Sequence, residues 1–250
     1  MITHSIILFY NKPNLTIRCL QSVLASLDHA GKPEHRIFLV DNGSSAEAIS
    51  KIRDLAAPGI EILTLPINQG FSKAMNLALR KCFSGGATQV AMFSNDVEVA
   101  VDFYKNINGE ALAPEATWQI QCPRAYFLLD REKPSYTHGT LDTATGALKH
   151  EFDPAIREIS FPNYYPAAAM IWGRKAFEAL QGFDEKYFCY WEDVDLSRRT
   201  SKLGGKIKCI SNPKLKIHHL GRGTTAGKKK YSELFEQGKK IFSNSNPLSF

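Results

Sequence analysis

The sequence has 250 residues and a formal net charge of +6, with 44% hydrophobic and 22% charged residues. This length can bury a sizeable core, and the composition excludes a disordered or fibrous chain. No apolar run approaches the length that crosses a bilayer, and the positive charge favours an anionic partner, with phosphate as the main candidate.

The first hundred residues alternate short apolar runs with helical patterns. Strands are predicted at residues 5–10, 36–40, 60–65 and 89–93. Pro13 opens a predicted helix, whose apolar positions are Leu20, Val23, Leu24 and Leu27. A second predicted helix has its apolar positions at Ala74, Leu77, Ala78 and Phe83. Such alternation predicts a mainly parallel sheet with right-handed crossovers.

Polar clusters follow each of these strands. They are Tyr10-Asn11, Asp41-Asn42, residues 68–70 and Asn95-Asp96. Each cluster alone is typical of a turn that joins a strand to a helix. Ligands of open parallel sheets bind beyond the carboxyl ends of the strands, so the four together predict one shared crevice.

The regular alternation ends after Asp96. A helix is predicted soon after residue 101 and a strand over 119–129, followed by a Gly- and Thr-rich segment near His138, predicted as a hairpin or a flexible loop. The five isolated histidines are assigned structural or surface roles: His4, His29, His35, His138 and His150.

An acidic segment lies at the start of a later predicted helix. Asp195 has Arg198 and Arg199 three and four residues ahead, which is the spacing of a surface ion pair. Asp193 faces Leu196 and Ser197 instead, so water, the helix dipole, a metal or a substrate hydroxyl must balance its charge. Alternatively, Glu192 and Asp193 only favour the helix start.

The cysteines and the last segment suggest a location. Five cysteines without a C-x-x-C pair indicate reduced thiols, and there is no signal peptide pattern, so a cytoplasmic protein is expected. The tail over 226–250 carries lysines at 228–230 and 239–240 with apolar residues between them. It could contact the inner face of the cell membrane as a basic amphipathic helix, or pack an apolar edge on its own domain. No nucleic-acid motif is present, so no nucleic-acid partner is expected.

Two common phosphate-binding fingerprints, G-x-G-x-x-G and G-x-x-x-x-G-K-[ST], are absent. The first strand instead runs into Tyr-Asn-Lys-Pro, and the second into Val-Asp-Asn-Gly-Ser-Ser. From residue 5 to about residue 225 the chain resembles a family 2 glycosyltransferase of the GT-A fold, in its rhamnosyltransferase-like branch.

The resemblance implies an α/β fold with a mainly parallel Rossmann-like central sheet, flanking helices and a smaller acceptor-side sheet region. It implies one domain over 1–225, with a nucleotide-sugar-binding half at 1–97 and an acceptor-binding and catalytic half at 98–225. The tail over 226–250 is expected to be helical, and the basic segment 221–225 is expected to close over the donor.

Site residues follow from the same resemblance. On the nucleotide-sugar side they are Tyr10 and Asp41 at the pyrimidine base, Asn68, Gly70, Phe71 and Asn76 beside the nucleotide, and Asn95 and Asp96 at the D-x-D position. On the acceptor side they are Gly182, Asp184, Trp191 and Glu192. Two departures are Ser94, which replaces the first aspartate of D-x-D, and the run Pro166-Ala167-Ala168-Ala169, where many relatives have Ser-Gly-Ala.

The resemblance further implies an inverting transfer of a sugar from a UDP- or dTDP-sugar to a hydroxyl of a glycan or lipid-linked glycan, in surface-polysaccharide synthesis. Asp193 is the expected base. Asp96 and His218 are expected to hold one divalent cation, Mn²⁺ or Mg²⁺. Because of Ser94, a catalytically impaired nucleotide-sugar-binding protein is the alternative. A nucleotidyltransferase is less favoured, because the first strand is not followed by a glycine- and lysine-rich phosphate loop.

Overall fold

A computed structural model of the chain describes residues 2–32, 34–107, 120–210, 212–221 and 227–245. Its strands are β1 (Thr3–Phe9), β2 (Arg36–Asp41), β3 (Ile60–Thr64), β4 (Gln89–Ser94), β5 (Val97–Val99), β6 (Ile120–Cys122), β7 (Arg124–Phe127), β8 (Pro134–Tyr136), β9 (His138–Leu141), β10 (Leu148–Glu151), β11 (Glu158–Ile159), β12 (Asn163–Tyr164), β13 (Ala169–Gly173), β14 (Ile207–Cys209) and β15 (Lys216–His219). Its helices are α1 (Pro13–His29), α2 (Ala46–Arg53), α3 (Phe71–Ser84), α4 (Phe103–Asn106), α5 (Arg174–Leu180), α6 (Glu192–Lys202) and α7 (Gly227–Ser245).

The main sheet has eight strands in the order β11-β14-β6-β13-β4-β1-β2-β3. Its β4-β1-β2-β3 half is parallel throughout, which confirms the fold predicted for the first hundred residues. Every residue of β1 is buried, as is usual for a strand covered on both faces. The carboxyl ends of β1, β2 and β4 therefore lie side by side at one edge.

Helices α1 and α3 both pack on β1. Most of the apolar positions predicted for them are buried, including Leu20 and Val23 of α1 and Ala74 of α3. Leu24 and Leu77 are exceptions, since 40% and 37% of each residue is exposed. Their exposure shows that the buried face of each helix is narrower than the sequence predicted.

Two smaller sheets flank the main one. The first has the order β5-β15-β7-β8 and the second the order β10-β9-β12. In the second sheet β9 and β10 form an antiparallel hairpin, so the hairpin alternative for the Gly- and Thr-rich segment is confirmed. In the first sheet β5, which follows Asp96, pairs with β15 and so brings His219 near the site edge.

The prediction of a single strand over 119–129 is wrong. Two strands occupy this region, β6 in the main sheet and β7 in a smaller one, with Pro123 between them. Proline has no N–H for a sheet ladder, so the chain leaves one sheet at this residue and enters the other.

Helix α7 packs on a second apolar cluster. Phe242 is fully buried there beside Trp191, and the two rings lie 5.3 Å apart between centroids. Phe235 lies 5.7 Å from the same tryptophan ring. This packing favours the alternative in which the tail covers its own domain. Among the residues that the structure describes, no helix combines the length and apolar character that crossing a bilayer requires.

Candidate active site

A cleft of about 680 Å³, counting its open mouth, lies at the carboxyl ends of β1, β2 and β4. Polar side chains on the strand side of the cleft are Tyr10, Asn42, Asn68, Ser94 and Asn95. The lining also includes two residues of the segment before α6 and two of α7, namely Phe188, Cys189, Lys230 and Leu234. The structure thus brings together most of the polar clusters that the sequence placed at one crevice.

Asn42 and Asn68 fix the loop that forms one end of the cleft. The Asn42 Nδ2 group donates to Asn68 Oδ1 and to the Gly70 carbonyl, each at 3.1 Å. Asn42 Oδ1 accepts from the Gln69 N–H at 2.9 Å, and Asn68 Oδ1 accepts from the Gly70 N–H. The sequence placed Asn42 at the shared crevice as part of the Asp41-Asn42 cluster, but gave a specific role only to Asp41.

Asp41 itself is not among the residues that line the cleft, whereas the next residue, Asn42, is. The Asp41 carboxylate is buried and Oδ1 accepts from the Ser44 N–H at 2.8 Å. This bond holds the turn between β2 and α2. A role for Asp41 at the base of the nucleotide stays a prediction.

Asn76 joins two parts of the chain that are far apart in sequence. Its Oδ1 accepts from the Phe183 N–H and its Nδ2 donates to the Phe183 carbonyl, each at 2.8 Å. A Cβ at Gly182, whose φ is +81°, would collide with the Asn76 side chain. Asn76 is buried and is not among the lining residues of the cleft, so in this structure it holds the Gly-Phe-Asp segment on α3.

A second close approach occurs at Gly70, which has a φ of +83°. A side chain there would collide with the carbonyl and ring of Phe188. The Phe71 N–H donates to that carbonyl at 2.6 Å. The segment before α6 is therefore fixed to the start of α3, beside the cleft. Asp184 instead accepts from the Lys186 N–H at 3.1 Å within its own turn.

Asp96 is almost fully buried next to Ser94 and His219. The Ser94 hydroxyl donates to Asp96 Oδ1 at 2.5 Å, and His219 Nε2 lies 3.5 Å from Oδ2. On the other side of the ring, His219 Nδ1 lies 3.2 Å from the Tyr136 hydroxyl. Ser94, at the departure from D-x-D, thus orients the carboxylate that remains.

The structure does not bring His218 to Asp96. Adjacent residues of β15 point to opposite faces of the strand, and His218 Nδ1 lies 3.4 Å from Arg131 Nη1. Burial, together with the positive charge of Arg131, lowers the pKa of His218. Among the described residues, no group of three or more His, Cys, Asp or Glu side chains is arranged as a metal site. A cation there would have Asp96 and His219 as its protein ligands.

Asp193 is held by backbone N–H groups near the start of α6. Its Oδ1 accepts from the Val194 N–H at 2.8 Å, and Oδ2 accepts from the Ala167 N–H at 3.4 Å. Burial raises the pKa of Asp193 to about 6, while these N–H groups oppose the rise. Burial and the neighbouring Asp193 raise the pKa of Glu192 well above its ordinary value. Both carboxyl groups therefore have raised pKa values, and burial is the main cause in each case.

The predicted ion pair of Asp195 is confirmed, but it is buried rather than on the surface. Asp195 Oδ1 accepts from Arg198 at 3.0 Å and Oδ2 from Arg199 at 2.6 Å. Arg199 also donates to the carbonyls of Leu180 and Gly182 at 2.9 Å each. The Asp195–Arg199 pair therefore fixes α6 to the end of α5. Asp195 thus has charged partners on its own helix, whereas Asp193 accepts from backbone N–H groups.

Tyr190 and Trp191 enter α6 with left-handed backbone angles, at φ of 72° and 71°. Two such residues in succession are costly, and surrounding contacts must hold them. Helix α7 supplies contacts, since Tyr231 packs on Tyr190 at 5.0 Å and Phe235 on Trp191. The expected lid over 221–225 lies largely outside the described residues, which include only Gly221 of that segment.

Residues 5–177 match the family model of Glycosyl transferase family 2. The chain belongs to this family. The match spans the parallel half of the main sheet and β13, so it covers the strand side of the cleft and Asp96, while α6 and α7 lie beyond it.

Relatives in Glycosyl transferase family 2 are distant in sequence. A pre-mycofactocin glycosyltransferase of Mycobacterium tuberculosis is 27% identical over 173 residues, which are 69% of this chain and 35% of that protein. An N-acetylglucosaminyl-diphospho-decaprenol L-rhamnosyltransferase of the same species is 24% identical, with 82% of this chain and 73% of that protein covered. The chain thus spans about a third of the length of the first relative and most of the second.

The fold agrees with that of a solved structure. GalNAc-T7, solved with UDP, GalNAc and Mn²⁺, superposes with a TM-score of 0.67 over 98% of this chain and 51% of that chain, at 16% identity. At this identity the likeness shows the fold alone, and it confirms the predicted GT-A architecture of this family 2 chain.

Proposed function

We propose that this chain is an inverting glycosyltransferase that moves a sugar from a UDP- or dTDP-sugar to a hydroxyl of a glycan or lipid-linked glycan, in surface-polysaccharide synthesis. One observation carries the proposal. The cleft, lined by Tyr10, Asn42 and Ser94 among others, lies next to Asp193, a carboxylate with a pKa of about 6. The Ser94 N–H donates to the Ala168 carbonyl at 2.8 Å, and the N–H of the adjacent Ala167 donates to Asp193 Oδ2 at 3.4 Å. Family membership supports the reaction class.

The cleft supplies groups suited to a nucleotide. Aromatic and amide side chains such as Tyr10 and Asn68 can stack on and hydrogen bond to a base or ribose. The fixed loop at Gly70 keeps this end of the cleft formed before the donor binds. The choice between UDP and dTDP belongs to the proposal and is decided by binding measurements.

Asp96 and His219 fit a single divalent cation. One carboxylate and one imidazole leave most coordination positions for diphosphate oxygens, which is how Mg²⁺ and Mn²⁺ sites on nucleotides are commonly completed. When bound, such a cation neutralises the charge that develops on the departing diphosphate. Ser94 orients Asp96, and the Tyr136 hydroxyl orients the His219 ring.

Asp193 is the proposed base. A carboxylate with a pKa near 6 is ionised at neutral pH and still basic enough to accept a proton from an attacking hydroxyl. Asp195, which is neutralised by two arginines, is unsuited to this role. Burial and the neighbouring Asp193 raise the pKa of Glu192, so Glu192 ionises less readily than an exposed glutamate and is less suited to act as the base.

The wider organisation is also part of the proposal. Residues 1–225 form the GT-A domain, and α7 packs on this domain at Tyr190 and Trp191. All five cysteines are unpaired, which supports a cytoplasmic location. The decaprenol-linked substrate in the name of one relative makes a lipid-linked acceptor, and peripheral contact with the inner face of the membrane, reasonable to test.

The test compares Asp193→Asn with Asp54→Asn, which removes an exposed and remote carboxylate. Nucleotide release is measured with UDP- and dTDP-sugars and simple glycan acceptors, with Mn²⁺ present. We expect Asp193→Asn to lower the transfer rate by about a hundredfold or more, because a general base contributes on this order. The dissociation constant for UDP or dTDP should stay within about twofold, because Asp193 is not placed on the nucleotide side.

The outcomes separate the proposal from its alternative. A wild-type chain that binds UDP or dTDP but transfers no sugar would be the impaired nucleotide-sugar-binding protein that Ser94 suggested. Absence of nucleotide binding would overturn both readings. Equal losses in Asp193→Asn and Asp54→Asn would remove Asp193 from the chemistry.

A further inference from the structure

Lys230 lies in the first turn of α7 and lines the same cleft as the residues at the carboxyl ends of the strands. It is the one cationic side chain among the described residues that line the cleft. Leu234, one helical turn later, also lines the cleft, so one side of α7 faces the cleft at this end.

The position of this turn is fixed by neighbouring aromatic contacts. Tyr231, next to Lys230 in the chain, packs on Tyr190 at 5.0 Å and on Phe235 at 5.8 Å. Gly238 lies so near the Tyr190 carbonyl that a Cβ there would approach it to 2.7 Å. Lys230 is therefore carried by a helix that is anchored to the protein, although its own side chain is exposed.

The described residues that line the cleft carry one positive charge and no negative charge, which favours an anionic ligand. The described lining contains amides, hydroxyls, aromatic rings and one ammonium group, and no carboxylate. We propose that Lys230 binds the diphosphate of the nucleotide donor, so that α7 contributes a cation to donor recognition. This inference rests on the proposed function and adds to it a binding residue that no family motif located.

The experiment measures dissociation constants of uridine, UMP and UDP, and of the matching thymidine series, by calorimetry. Lys230→Gln removes the charge and keeps most of the side-chain length. A charge-assisted hydrogen bond contributes at least about 1.5 kcal/mol, so UDP or dTDP should bind about tenfold more weakly. The nucleoside should bind equally well, and Lys230→Arg should retain the affinity within about threefold.

Lys229→Gln is the matched control, since Lys229 is exposed on the same turn but is not among the lining residues of the cleft. It should leave every dissociation constant unchanged. Each measurement is made with EDTA and with Mn²⁺, so that loss of the Lys230 contact is separated from loss of the cation.

Three outcomes would overturn the inference. An equal effect of Lys229→Gln would show only a general attraction of the basic helix. A loss shared by uridine and UDP would place Lys230 away from the phosphates. Unchanged UDP and dTDP binding with a raised KM for a diphosphate-linked acceptor would assign the lysine to the acceptor. Failure of the wild type to bind any nucleotide would instead contradict the proposed function itself.

Discussion

Two adjacent carboxyl groups at the start of α6 both have pKa values raised by burial. The Oε2 atom of Glu192 has no hydrogen-bond partner within the described part of the chain. Asp193 accepts hydrogen bonds from two backbone N–H groups and has a pKa of about 6. The same burial that raises the pKa of Asp193 toward the value its proposed role requires also makes its ionised form costly in the folded protein.

This cost predicts a pH-dependent gain in stability for Asp193→Asn. An aspartate whose pKa is about 6 when folded and about 3.8 when unfolded destabilises the folded state once it is ionised. The penalty is complete above about pH 6 and disappears below the unfolded pKa. We expect the variant to unfold at a higher denaturant concentration than wild type at pH 8, with the gap closing between pH 6 and pH 4.

The wild-type pH profile provides the control for this interpretation. If Asp193 is the base, kcat/KM should fall as the pH drops below about 6, along a limb for a single proton. A variant whose stability gain is the same at pH 4 and pH 8 would contradict the raised pKa. Asp54→Asn should show no change across the range.

His218 and His219 provide a second matched comparison at the residue scale. Of the two histidines, His219 lies beside Asp96. His219→Ala should therefore reduce the extra UDP or dTDP affinity that Mn²⁺ confers by at least about tenfold to a hundredfold, because losing even an outer-shell partner of a metal ligand has an effect of this order. His218→Ala should leave it unchanged, because this ring lies against Arg131. Calorimetric titration with and without Mn²⁺ measures the difference.

The reverse result, with the metal effect lost in His218→Ala and kept in His219→Ala, would mean that β15 is shifted by one residue. Asp96→Ala should match His219→Ala. If neither variant alters the effect of Mn²⁺, the site does not use a protein-bound cation.

At the scale of elements, the site is held by three contacts between distant segments. Asn76 of α3 bonds both backbone groups of Phe183, the start of α3 bonds the Phe188 carbonyl, and α7 packs on Trp191. Each contact involves the segment between α5 and α6. This segment carries no regular structure of its own, so its neighbours set its geometry.

At Gly238 of α7, we predict that alanine is less stable than glycine, which is the opposite of what helix propensity alone predicts. Alanine is about 1 kcal/mol better than glycine inside a helix, yet a Cβ at this position would approach the Tyr190 carbonyl to 2.7 Å and the Trp191 ring to 3.0 Å. Because the opposing atoms include backbone, Gly238→Ala should lower the free energy of unfolding by about 1–3 kcal/mol, as overpacking does. Urea denaturation measures this change.

Gln237→Ala is the control, since Gln237 is exposed on the neighbouring position of the same helix. It should change stability by no more than about 0.5 kcal/mol. A stabilised Gly238→Ala variant would mean that α7 does not contact Tyr190 and Trp191 as described, and would also weaken the assignment of Lys230 to the cleft wall.

For the whole molecule, sequence patterns predicted the parts governed by local periodicity. The βαβ order placed Tyr10, Asn68 and Asn95 at one edge, because the carboxyl ends of parallel strands coincide. The i+3 and i+4 spacing predicted the pairing of Asp195 with both arginines. These inferences needed no knowledge of partners that are distant along the chain.

Features that depend on distant partners were not predictable. Two consecutive histidines do not reveal which one faces inward, because the register of β15 against β5 decides it. The buried bonds of Asn76 depend on Phe183, 107 residues away. The destination of the basic tail depended on an apolar cluster around Trp191, whose members come from several separate elements.

The packing of α7 has a consequence for biosynthesis. Of the described elements, α7 is the last to be made, yet Tyr190 and Trp191 rely on it for their neighbours. A chain released before α7 is made contains the whole parallel sheet, but Tyr190 and Trp191 lack the aromatic neighbours that α7 supplies. A chaperone that recognises exposed aromatic residues would find its target there, and premature termination before α7 would yield an aggregation-prone chain rather than a slow enzyme.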